Sequence, residues 1–172
     1  MKRQVRRNVF ETNSSSMHSL SITNGTLQES YLYVDEHDNK VHTEFGEYDW
    51  EIEQYSTQSE KLSYLVTMLI STEGRGLQTV EEFFETEGFK KINNVIREYC
   101  NCDGIVIDSK LEPDSWTYNG KTEYYLSHDG YIDHQSCEDY ENIDKFLEYY
   151  NTDIINFIFN DGVIVCTDND NH

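Results

Sequence analysis

The chain has 172 residues, enough to form one domain with a substantial core. It carries 33 acidic and 13 basic residues, a formal net charge of −20, together with 13 Tyr, 8 Phe and 2 Trp. Such a surface repels nucleic acid and anionic membranes and attracts basic surfaces, and the longest strongly apolar run, LVTMLI at 65–70, is far too short to span a bilayer.

Residues 4–12 and 17–23 read as two strands around the polar stretch ETNSSS. Val5, Val9 and Phe10 mark the first, and Leu20 and Ile22 alternate with Ser19, Ser21 and Thr23 in the second. Asn24-Gly25 is a turn. SYLYV at 30–34 predicts a further strand, and 35–39 a polar turn. Residues 40–53 predict one or two short strands, with Val41, Phe45, Tyr48, Trp50 and Ile52 as the apolar set.

The period then becomes helical. Ser59 is placed to cap a helix with Leu62, Leu65, Val66, Leu69 and Ile70 on one face, ended by Gly74-Arg75-Gly76. Thr79 and Glu82 have capping-box spacing and open a second helix carrying Val80, Phe83 and Phe84. Gly88 is expected to interrupt it before a third segment with Ile92, Val95, Ile96 and Tyr99. GIVID at 104–108 predicts a buried strand. Asn119-Gly120 is a hairpin signal, and Asp129-Gly130 a second one leading into YIDHQ. Ile143, Phe146, Leu147 and Tyr150 recur at helical spacing, and Thr152 is placed to cap a last helix through Phe159. Asp161-Gly162 turns into the strand VIVCT, and 168–172 form a polar tail. This order predicts a single α+β domain over 1–172, a mixed or antiparallel sheet with three to five helices packed on it.

Charge is unevenly spread. Lys2, Arg3, Arg6 and Arg7 form a basic start, so residues 8–172 carry 9 basic and 33 acidic groups, a net of −24. The one basic island therefore lies beside a serine-rich loop. In RRNVFETNSSSMHSLSI, Asn13, Ser14, Ser15, Ser16 and Arg7 offer hydroxyls, an amide and charge to a phosphate, His18 can exchange protons near neutral pH, and Glu11 can orient it. A second polar stretch, HDGYIDHQS at 128–136, supplies Asp133, His134, Gln135 and Ser136. Facing one another, His18 and His134 would be base and acid for metal-independent RNA cleavage, with Asp133 as orienter and Gln135 and Ser136 as further phosphate contacts. Asp133, His134 and His18 could instead ligate a divalent ion, but no recognised metal spacing supports this, and no metal or cofactor is assigned. An ADP-ribosyltransferase pattern fits only loosely, with Arg7, the serines and Glu51-x-Glu53 or Glu85-x-Glu87. The cysteines are Cys100, Cys102, Cys137 and Cys166, and the Cys-x-Cys pair lacks zinc-site spacing. With no secretory pattern at the start, disulfides are not expected and the reading is cytoplasmic.

Carboxylates interleaved with aromatics carry a separate signal. Asp35 and Glu36, then Glu44, Glu47, Asp49, Glu51 and Glu53, can imitate nucleic-acid phosphates and bind a basic groove.

VFETNSSSMHSL resembles an N-terminal signature, FETNSSSxHSL, of small uncharacterised proteins of phages and mobile elements of Firmicutes. GYIDHQS and NFIFN resemble a later segment of the same proteins. The resemblance covers about thirty residues and implies a context, not an activity: acidic phage proteins of this size look like anti-defence factors, including anti-CRISPR inhibitors of Cas9. Two readings follow. One is a small ribonuclease-like enzyme acting on RNA such as a guide RNA. The other is a non-enzymatic acidic mimic that occludes the basic groove of a defence protein in the host-cell cytoplasm. The expected partners are a basic, Cas9-like protein and its RNA, with no membrane.

Overall fold

The computed structural model describes residues 3–4, 16–48, 53–132 and 140–169, of which 3–4, 16–17 and 169 are described by backbone alone. The chain forms ten strands and five helices among these residues, an α+β architecture as the element order predicts. Strands β1 (Arg3–Gln4), β2 (Ser16–Ile22), β5 (Glu53–Tyr55) and β10 (Val163–Asn169) make an antiparallel sheet ordered β1-β2-β10-β5. Strands β3 (Val41–Thr43) and β6 (Ile105–Ile107) pair in parallel, as do β4 (Glu47–Tyr48) and β9 (Tyr131–Ile132). Strands β7 (Leu111–Tyr118) and β8 (Lys121–His128) form a hairpin.

Helix α1 (Gln58–Glu73) is the centre of the molecule. The apolar spacing predicts one buried face, but Lys61, Tyr64, Thr67 and Met68 are buried as well as Leu62, Leu65, Val66, Leu69 and Ile70. Helix α1 is enclosed because it touches α3 (Glu87–Cys100), α4 (Ile143–Tyr149), α5 (Ile154–Phe159), β3 and β9. A helix packed on all sides needs apolar residues all round. Its cap is Thr57, two residues before Ser59, since Thr57 accepts the Glu60 N–H and the Glu60 carboxylate returns to the Thr57 N–H at 2.9 Å.

Several local expectations shift for identifiable reasons. The capping box of Thr79 and Glu82 opens α2 (Val80–Phe84) as predicted. The break after it falls at Thr86, which caps α3, while Gly88 sits inside the first turn of α3. Asp153, not Thr152, caps α5, accepting the Asn156 N–H at 2.8 Å. SYLYV makes only the Val34–Val41 bridge and no ladder. The Gln58 side chain takes the place of a neighbouring strand there, accepting from the Tyr31 N–H and donating to the Glu29 carbonyl. Residues 40–53 hold the short strands β3 and β4, and β5 begins at their end. Asp129-Gly130 turns, yet β9 leaves to pair with β4 and does not fold back on β8. Asp168 and Asn169, the first residues of the predicted polar tail, belong to β10 and pair with Met17 and Ser16.

The turns at Asn24-Gly25 and Asp161-Gly162 meet. Thr23 takes the Gly162 carbonyl at 2.8 Å, and a Cβ on Gly25 would collide with the Gly162 backbone. Two glycines therefore let the two turns close on each other. Of the expected first strand and the ETNSSS loop, residues 5–15 lie outside the described residues, as do Trp50, Ile52, Cys137 and residues 170–172.

Candidate functional site

Strand period decides which way His18 faces. On β2 it shares a face with Leu20, which is 1% exposed, so the imidazole turns toward the core. There Nδ1 lies 3.2 Å from the Tyr64 hydroxyl, and Nε2 is buried. The Tyr150 hydroxyl donates to the His18 carbonyl. Tyr64 in turn packs edge-on against Tyr48 and beside Phe146 and Phe157. His18 is thus the polar end of an aromatic cluster under the antiparallel sheet.

The register adds neighbours that were not grouped by sequence. His18 pairs with Thr167 on β10, and Thr167 pairs with Glu53 on β5. The row His18–Thr167–Glu53 places the imidazole and carboxylate two strands apart, about 10 Å between backbones. The Tyr55 hydroxyl donates to Glu53. Burial, then the Glu53 carboxylate, pushes the Tyr55 phenol up, and burial pushes Tyr48 and Tyr150 up to about 12. These phenols serve as hydrogen-bond donors rather than as bases. Glu53, read from sequence as a partner-binding acid, therefore belongs to the His18 row. Its pairing partner lies over a hundred residues away, so no local pattern announces it.

Among the other candidates, Ser16 opens β2 opposite Asn169. Arg7, Glu11, Asn13, Ser14, Ser15, Asp49, Glu51, Asp133, His134, Gln135 and Ser136 lie outside the described residues. Glu44 follows β3, where its carbonyl accepts from Ser63, and Glu47 is exposed on β4. Asp35 closes the 35–40 turn, its carboxylate accepting the His37 N–H at 2.7 Å, and Glu36 projects from that turn.

That turn leads into a second constellation. His42 is the outward residue of β3. Its Nε2 lies 3.1 Å from Asp38, and its Nδ1 3.0 Å from Asp108, which follows β6. Asp108 first and Asp38 second hold the imidazole above its ordinary value. Two carboxylates 70 residues apart in sequence are thereby lined up on the two sides of one ring. The Asp103 N–H donates to the Asn39 carbonyl at 2.7 Å and ties the 35–40 turn to the end of α3. The Val34–Val41 bridge puts Tyr33 on the same outer face as His42. Tyr33 is 71% exposed and Tyr31 77%. His128, by contrast, packs its ring against Phe45, and burial holds its imidazole below the ordinary value.

A cavity of about 930 Å³ opens elsewhere, between α3, α4 and α5, with Ile22, Val95, Leu147, Ile154 and Val163 on its floor. None of the candidate residues lines it. Among the described residues no group of three or more His, Cys, Asp or Glu is arranged to hold a metal ion, and no helix is long and apolar enough to cross a membrane. No protein-family model, curated protein or solved structure matches this chain.

Proposed function

We propose that the protein is an acidic binding protein, an anti-defence factor of the kind its opening signature resembles, which occupies the basic nucleic-acid groove of a defence protein such as Cas9 in the host-cell cytoplasm. The observation that carries this reading is the pair of carboxylates at the ends of β3 and β6, Asp38 and Asp108 on either side of His42, with Tyr33 on the same face. Carboxylates held by hydrogen bonds to one ring present negative charge to a basic groove with little reorganisation. The His42 ring stands between the two acids and bonds to both. A protein of net charge −20 is drawn to such a groove and repelled by the nucleic acid it displaces. The inward ring of His18, with Nδ1 at Tyr64 and Nε2 buried, favours this reading over the ribonuclease-like one, because a general base must reach the proton it removes.

The test incubates the protein with a Cas9–guide complex and follows target-DNA binding, DNA cleavage and guide length together. Intact guide with lost DNA binding, relieved by raising salt and by Asp38→Asn with Asp108→Asn, is the expected result. Shortened guide RNA that stays whole with His18→Ala would overturn the binding reading in favour of an enzyme. Unchanged Cas9 activity would remove the anti-defence context.

A further inference from the structure

The β7–β8 hairpin is the part of the molecule least committed to the core. Its turn is Asn119-Gly120, both at positive φ, which matches strand twist in a two-residue hairpin. Residues 112–124 are exposed without interruption. The base is anchored: Leu126 is buried, His128 packs on Phe45, and β7 touches α2. The backbone of Gly76 covers one point of the outer edge of β8, donating to the Tyr124 carbonyl at 2.8 Å.

The two faces of this arm differ in chemistry. Register places Glu112, Asp114, Trp116 and Tyr118 on one face with Tyr125, Glu123 and Lys121. The hairpin's three acids therefore all lie on the face that holds its tryptophan. The opposite face carries Pro113, Ser115, Thr117, Thr122 and Tyr124 and no acid. Side-chain bonds set the aromatic face in order before any partner arrives. The Trp116 Nε1–H donates to Glu123 at 3.1 Å, and the Tyr125 hydroxyl donates to Asp114 at 2.9 Å. The Trp116 and Tyr118 rings stack with centroids 6.0 Å apart, yet remain 50% and 65% exposed. A bare hairpin is marginal in water, so these cross-strand pairs keep it formed. Among the described residues no further ring packs on Trp116 or Tyr118.

We propose that this acidic aromatic face of the β7–β8 hairpin is a docking arm for an arginine-rich protein surface. The inference rests on the binding reading above and names the groups that reading recognises. Guanidinium fits both halves of the face: its plane stacks on Trp116 or Tyr118, and its N–H groups reach Glu112, Asp114 or Glu123. Lysine offers the charge without the flat donor fork. Trp, Tyr and Arg are the residues enriched among interface hot spots. The charge of −20 argues against the two other occupants, a nucleic acid and a second copy of this chain.

Fluorescein-labelled nona-arginine and nona-lysine, followed by anisotropy, test this. The wild-type protein is expected to prefer nona-arginine, and Trp116→Thr with Tyr118→Thr to lose about tenfold in affinity for it and to bind the two peptides alike. Threonine keeps strand propensity, and circular dichroism checks the fold. Trp116→Phe keeps a ring and is expected to stay within about threefold of wild type. Equal binding of both peptides by the wild type would reduce the arm to charge alone and overturn the proposal, as would an unchanged preference in the threonine variant. A dimer seen by sedimentation and abolished by the threonine variant would assign the arm to a second copy instead, and binding of labelled oligouridine through it would assign it to nucleic acid; either overturns the proposal. The two readings fail separately. Cas9 inhibited equally by wild type and threonine variant would sink the arm and spare the binding function, whereas arginine-selective binding with no effect on Cas9 would spare the arm and sink the anti-defence context.

Discussion

Replacing Lys61 with methionine isolates the cost of a buried ammonium in the middle of α1. Lys61 is 1% exposed and donates from Nζ to the Asn160 carbonyl at 2.8 Å. Asn160 caps the C-terminus of α5, where the helix dipole favours a cation. Burial nevertheless pushes the lysine down to about 8 from 10.5, with Asp161 opposing weakly. A depressed folded value means that the unfolded chain binds the proton more tightly. Stability is then lost as pH falls from 10.5 through 8, and regained as pH rises. Between pH 7 and pH 10 those two values correspond to roughly 2–2.5 kcal/mol. Tyrosine and cysteine titrations contribute over the same range, so the quantity to measure is the difference between wild type and Lys61→Met. Urea unfolding of both proteins at pH 7, 8, 9 and 10 supplies it. The wild type should gain about 2 kcal/mol on the variant across that range. A flat difference would refute the reasoning, since it would mean that Nζ is solvated and its burial costs nothing.

Three other outcomes follow from the packing. The His42 imidazole should titrate above 6.5 by NMR, and Asp108→Asn should lower its midpoint; a wild-type midpoint at or below 6.5 would break the carboxylate pair. Its stabilising contribution is present below pH 6.5 and fades as pH rises through the His42 midpoint. Gly25→Ala should destabilise by about 1–3 kcal/mol in urea, because the added methyl meets the Gly162 backbone. Leu69→Ala, at a fully buried position of α1, should cost about 3–5 kcal/mol, and a loss below about 1 kcal/mol would contradict the central place of that helix.

Much of the local structure was legible because short-range chemistry dictates it. The capping box at Thr79 and Glu82, the Asn119-Gly120 hairpin and the αβ order each depend on residues a few positions apart. Where two nearby residues competed, geometry chose. Thr57 outdoes Ser59 because Glu60 completes the reciprocal bond only there, and Asp153 outdoes Thr152 because its carboxylate reaches the Asn156 N–H. SYLYV had strand composition but no strand beside it. Periodicity cannot report whether a ladder partner exists.

The functional residues divide in the same way. Composition alone determined that this protein is strongly acidic, with a formal net charge of −20. The Asn119-Gly120 signal announced the hairpin, and its register put Trp116 and Tyr118 on one face. Tertiary structure decided the rest. It turned His18 inward onto Tyr64, brought Glu53 into its row through Thr167, and set Asp108 and Asp38 against the two nitrogens of His42. Each of those contacts joins segments 35 or more residues apart, apart from the Asp38–His42 pair. The physical reason is that sequence encodes periodicity and capping over a few residues, whereas a site is assembled by strand register and by packing around one buried helix.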